Sequence, residues 1–138
     1  MDLPRPDDLL GRHRIVVADE DHRIVGLIVR TLRQDDHAVF HVHDGLRATE
    51  LAFALDRVDL VITDTRVSGL PGVELVYLLR TRLLNLPILY IANIDRSTPA
   101  IEEKLPRDVP ILREPFTPEQ LRELVNTLLS PKPSLLAP

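Results

Sequence analysis

Acidic residues stand where two apolar runs end. Val58-Asp59-Leu60-Val61-Ile62-Thr63 runs into Asp64, and Arg14-Ile15-Val16-Val17-Ala18 runs into Asp19-Glu20-Asp21. A buried strand that delivers a carboxylate to its C-terminal end, ahead of a loop and a helix, is how open α/β sheets build active sites. Carboxylates so placed can bind hard cations or act as nucleophiles. Taken alone, Asp64 is equally a turn former. Asp19-Glu20-Asp21 is equally a solvated helix start, where acids favour the helix dipole. Acids at the ends of two separate strands favour the site over both plainer readings. Among the histidines, His13, His22, His37, His41 and His43, only His41 and His43 share a strand face. No further ligand has the spacing a zinc site needs, so they read as surface residues.

The elements that must position these acids follow from hydrophobic periodicity. Short β-branched runs predict strands at Arg14–Ala18, Ala38–Val42, Val58–Thr63, Ile88–Ala92 and Val109–Arg113. The last carries Pro110 and is expected at a sheet edge. Ile24, Leu27, Ile28, Thr31 and Leu32 recur at helical steps and predict a helix over 22–34. Asp44 caps a second helix with Leu46, Leu51, Phe53, Ala54 and Leu55 as its apolar set. Val73, Leu75, Val76, Leu78, Leu79 and Leu83 mark a third, after the turn-rich Thr65–Gly72 stretch. Thr98-Pro99 starts a fourth helix that Pro106 stops after about two turns. Thr117-Pro118-Glu119-Gln120 is a capping-box start for a last helix carrying Leu121, Leu124, Val125, Leu128 and Leu129. Strand and helix alternate five times. That order predicts an α/β fold, a doubly wound five-stranded parallel sheet with helices on both faces.

Composition bounds the rest. The chain has 138 residues, 44% hydrophobic and 28% charged, with no Cys and a net charge of −4. These values suit one globular domain with a sizeable core, no disulfides and no nucleic-acid partner. No apolar run approaches the roughly 20 residues of a membrane span, and no signal-peptide pattern opens the chain. A cytoplasmic location is therefore expected. Residues 1–12 read as an arm containing Leu9-Leu10, 13–130 as the domain, and 131–138 as a flexible tail.

With these strand ends, the chain resembles the receiver domains of bacterial two-component response regulators over roughly residues 14–129. The resemblance rests on Ile15-Val16-Val17-Ala18-Asp19-Glu20-Asp21, Asp59-Leu60-Val61-Ile62-Thr63-Asp64, Gly69 and Gly72 with Glu74-Leu75, Leu86-Pro87-Ile88, and Pro115-Phe116. It implies strand order 2-1-3-4-5 and a stand-alone receiver of the chemotaxis-regulator type. It also implies that Asp64 accepts a phosphoryl group from a sensor histidine kinase or phosphotransfer protein. Mg²⁺ would be held by Asp64 and Asp19, by Glu20 directly or through water, and by the backbone carbonyl of Arg66. Receivers have no membrane-spanning part of their own and are signalling acceptors rather than enzymes.

Three positions depart from the family pattern. Ala92 stands where receivers carry Ser or Thr at the end of strand four. Glu114 stands in place of the strand-five Lys, and Ile111 in place of the aromatic switch residue. A like charge at Glu114 should raise the pKa of Asp64 and repel phosphate. Arg66 and Asn93 are candidate replacements for the lost phosphate contacts. Arg113 should point the other way, because side chains alternate along a strand. The implied function is a single-domain regulator with an atypical readout. The alternative is a pseudo-receiver, an interaction module indifferent to phosphorylation. A small hydrolase or flavin protein is disfavoured, since no Gly-rich phosphate loop and no nucleophile elbow are present. If the chain pairs with a second copy, the clipped fourth helix directs that pairing to helix one, helix five or the Leu9-Leu10 arm.

Overall fold

The computed structural model describes residues 12–130. The Leu9-Leu10 arm and the tail at 131–138 lie outside the described residues. Ten elements follow in strict alternation: β1 (Arg14–Ala18), α1 (His22–Gln34), β2 (Ala38–Val42), α2 (Gly45–Ala54), β3 (Leu60–Asp64), α3 (Gly72–Arg80), β4 (Ile88–Ala92), α4 (Pro99–Glu102), β5 (Ile111–Arg113) and α5 (Pro118–Leu129). The five strands form one parallel sheet in the order β2-β1-β3-β4-β5. Helices cover both faces, so the inner strands read as nearly continuous apolar runs rather than alternating ones.

Alternation along each strand divides the core in two. Val16, Ala18, Val61, Ile88 and Tyr90 face α2 and α3, meeting Ala48, Leu51, Leu75 and Leu79. Ile15, Val17, Leu60, Ile62, Leu89 and Ile91 face the other way, onto Ile28 and Leu32 of α1 and Leu121 and Val125 of α5. Each such side chain taken fully from water contributes about 1.5–3 kcal/mol of transfer free energy. The site at the strand ends therefore rests on a rigid floor.

Four details differ from the sequence expectation. β3 begins at Leu60 rather than Val58 and includes Asp64. The Asp59 carboxylate accepts from the Arg14 N–H at 2.8 Å, and its own N–H donates to the Arg14 carbonyl, so it serves as a connector at the foot of β1. Leu46 is 53% exposed and Ala54 is exposed; the inward face of α2 is Ala48, Leu51 and Ala52, with Thr49. Small residues there let the helix approach the sheet closely. α4 is a single α-helical turn with no buried residue, shorter than two turns, followed by looser turns to Leu105. β5 spans only three residues because Pro110 supplies no N–H; its carbonyl still accepts from Tyr90 N–H at 3.1 Å. β5 does lie at an edge.

Candidate functional site

β1 and β3 are neighbours in register, Ala18 opposite Thr63, so the chain leaves both strands at the same end of the sheet. Asp19 and Asp64 meet there. Both are buried, at 1% and 5% exposure. Asp64 Oδ1 accepts the Thr65 N–H at 2.7 Å, and Asp19 Oδ1 accepts the Asp21 N–H at 2.7 Å. Asp21 in turn caps α1 through the Arg23 N–H. The second oxygen of Asp19, Oδ2, is buried without a hydrogen-bond partner.

Burial, followed by the charge of Asp64, pushes the Asp19 carboxyl up to about 8 against the opposing Asp21 N–H. Asp64 is raised as well, first by burial; the Thr65 N–H, the shared hydrogen bond with Asp19 and the positive charge of Arg96 act against the rise. Two facing carboxyls in a low-dielectric site cannot both ionise cheaply.

The β3–α3 loop that frames Asp64 depends on two glycines. A Cβ on Gly72 would stand 2.2 Å from the Asp64 carbonyl oxygen, so α3 can start this close to Asp64 only without a side chain. Gly69 has φ +80, in the left-handed region that favours glycine. The loop is also clasped to the start of α2. Gly45 N–H donates to the Ser68 carbonyl at 2.8 Å, and Asp44 caps α2 through the Leu46 and Arg47 N–H groups.

The remaining candidates separate into near and far. Glu114 directly follows β5 and precedes a cis peptide bond to Pro115, with its N–H on the Ala92 carbonyl at 3.1 Å. Its Oε2 is buried without a partner, and its pKa is raised by burial first, then by Asp64, Asp21 and Asp95. It therefore lies within reach of the Asp64 charge. Ala92 is buried and offers no hydroxyl, while Ile111 packs into the apolar layer below. Glu20 turns instead to Arg96, Oε1 lying 3.6 Å from its guanidinium. Asn93 builds a turn, its Oδ1 accepting the Asp95 N–H at 2.9 Å. Arg66 is exposed, and its guanidinium makes no hydrogen bond or ion pair among the described residues. Arg113 points away and forms a two-pronged pair with Glu102 of α4.

Two residues at the site carry no signal that stands out in the sequence. Thr65 Oγ1 donates to the Ile91 carbonyl and accepts the Asn93 N–H, both at 3.0 Å, tying the loop after Asp64 to β4. A hydroxyl directly after a strand-end acid is the only hint of it. Arg96 lies four residues past β4, and only the path of the loop returns it to Glu20. His41 also touches the site, its Nε2 lying 3.1 Å from the Asp19 carbonyl oxygen.

Among the described residues, no three acid or imidazole side chains converge as a metal cluster. The pair Asp19–Asp64 with its orphaned oxygen instead suits a hard cation that keeps several waters, as Mg²⁺ does.

Comparison with known proteins matches the family model "Response regulator receiver domain" to residues 15–126. The chain is 30% identical over 113 residues to the uncharacterized transcriptional regulatory protein YrkP of Bacillus subtilis, covering 82% of this chain and 48% of that protein. It is 30% identical over 116 residues to the response regulator MprA of Mycobacterium ulcerans, covering 84% and 50%. It thus spans about half the length of the curated relatives it matches. A response regulator receiver protein from Sinorhizobium medicae superposes with a TM-score of 0.76 at 28% identity, covering 85% of this chain and 94% of that one. The chemotaxis protein CheY4 of Vibrio cholerae shares the fold, with a TM-score of 0.74 at 22% identity over 85% and 98%. Sheet order, helix placement and these matches define a signalling module of two-component systems. The chain belongs to the response regulator receiver domain family.

Proposed function

We propose that the chain accepts a phosphoryl group on Asp64 from a histidine kinase or phosphotransfer protein, with Mg²⁺ as cofactor. The observation that carries this reading is the buried, facing pair Asp19–Asp64 with one oxygen unpartnered. The Thr65 N–H fixes one Asp64 oxygen and leaves the other to attack. That oxygen forms a P–O bond as the P–N bond to the donor imidazole breaks. The electron pair goes to the imidazole nitrogen, which takes a proton from solvent. Asp19 and Asp64, with the Arg66 carbonyl and Glu20 through water, would hold the cation, whose positive charge neutralises the transferring group. Incubation with a phosphorylated donor and Mg²⁺ tests the reading. Label should appear on wild type and vanish in Asp64→Asn; undiminished label in the variant would sink it. Glu114→Lys, run alongside, should label faster, because an acid within reach of Asp64 becomes a cation.

A second reading is favoured by Ala92, Ile111 and Glu114: an interaction module whose contacts ignore phosphorylation. It expects partner affinity unchanged by beryllofluoride with Mg²⁺. A large change in affinity rules it out.

A further inference from the structure

The acceptor site holds a surplus of negative charge. Asp64 lies against Asp19 and within reach of the Glu114 charge, with Asp21 and Asp95 close enough to raise the Glu114 pKa further. A phosphoryl group would add about two more negative charges. One divalent cation does not balance that sum, and the strand-five position holds an acid. A monovalent cation must come from elsewhere in the chain.

Of the guanidinia near this end, Arg113 is occupied by Glu102. Arg96 is different. The β4–α4 loop is folded back by Asn93, whose carbonyl accepts the N–H groups of Arg96 and Ser97 at 3.2 and 2.9 Å. The Asn93 N–H is itself held by Thr65 Oγ1, beside the acceptor. A chain of hydrogen bonds therefore fixes the base of Arg96 relative to Asp64. Among the described residues its one ion pair is with Glu20 at 3.6 Å, where both side chains are over a third exposed. Such a pair is weak and easily exchanged. The guanidinium borders an open groove of about 590 Å³ with Glu20, Thr65 and Arg66 on its walls. A planar fork of donors there matches two phosphoryl oxygens.

We propose that Arg96 is the phosphoryl-binding cation of this receiver, leaving Glu20 for the phosphoryl oxygens when Asp64 is modified. This rests on the acceptor reading above and deepens it. Exchange of partners also releases the Glu20 carboxylate.

Beryllofluoride with Mg²⁺ serves as the probe, its bound ¹⁹F signal giving the affinity on the full chain. Arg96→Gln should weaken binding roughly tenfold or more, the worth of a lost charge-assisted contact. Arg96→Lys should fall between, and Arg113→Gln should match wild type. Mg²⁺ affinity without beryllofluoride should hold or rise in Arg96→Gln, since a positive charge leaves the acidic end. Unchanged beryllofluoride affinity in Arg96→Gln, or the loss appearing in Arg66→Gln instead, overturns the inference and leaves the acceptor reading standing. Weakened Mg²⁺ affinity in Arg96→Gln also overturns it, by assigning Arg96 a structural role. Wild type that binds no beryllofluoride with Mg²⁺ overturns both.

Discussion

Asp19 carries a pH signature of opposite sign to the usual structural carboxylate. Its pKa rises from 3.8 to about 8 in the fold, so it stabilises the fold only while protonated. Without a divalent cation, its contribution is full below its unfolded pKa and is lost as pH climbs towards the folded value. His37 and His41, lowered by burial, act the other way and gain stability as pH rises through their ordinary range. The comparison of wild type with Asp19→Asn cancels them. We expect Asp19→Asn to stabilise the protein in EDTA at pH 8 by roughly 1–3 kcal/mol, the cost of an unsatisfied buried group. The gain should shrink towards pH 5 in urea titrations; a gain independent of pH would refute the cause. Mg²⁺ should stabilise wild type and not this variant. Asp19, Glu20 and Asp64 were legible because acids ended apolar runs. Arg96 was not, because the direction of a loop side chain depends on hydrogen bonds made at Asn93 and Thr65. Nor was the turn of Glu20 towards it, for the same reason.

At the scale of elements, the β3–α3 connection is the sensitive part. Gly72→Ala forces a Cβ against the Asp64 carbonyl, and the atom it meets is backbone that cannot swing aside. Overpacking of this kind costs about 1–3 kcal/mol, and it should also displace the acceptor. Thr117→Ala offers the contrast. Thr117 and Gln120 form a reciprocal cap at α5, remote from the acids, and its loss costs about 1 kcal/mol. We expect both variants to lower the Tm, and only Gly72→Ala to reduce labelling of Asp64. Equal labelling in the two would separate Gly72 from the site. The strands could be read from their apolar runs since both faces of the sheet are covered. The start of β3 could not, because Val58-Asp59 continues the run while the Asp59 side chain is recruited by Arg14. Leu46 was misplaced for a related reason: periodicity finds a helix face, but which flank meets α3 depends on packing.

Across the whole molecule, stability is unevenly spread. β1, β3 and β4 are buried on both faces, whereas α4 buries none of its four residues. Amide exchange should therefore be slowest in β1 and β3 and fastest, among the elements, in α4. Slow exchange in α4 would contradict this ranking. α4 is held by Ile101 against the core and by the Arg113–Glu102 pair, with the Ser97 hydroxyl donating to Glu102. If the chain pairs with a second copy, α1 and α5, which Arg122 stitches together through Asp35 and Gln34, offer a firmer surface than α4. Pairing through that face should persist when Arg113→Gln loosens α4, as sedimentation would report.

The ring packed beneath the acceptor loop has a spectroscopic consequence. The chain has no Trp and two Tyr, and Tyr90 is fully buried. Its ring edge lies 3.2 Å from the point where a Gly72 Cβ would stand, itself against the Asp64 carbonyl. Tyr77 is half-exposed, its hydroxyl donating to the Lys104 carbonyl. In Tyr77→Phe, tyrosine absorption and tyrosine emission would come from Tyr90 alone. The protein thus contains its own optical probe of the Asp64 site, and cation binding there should shift its emission without any label attached.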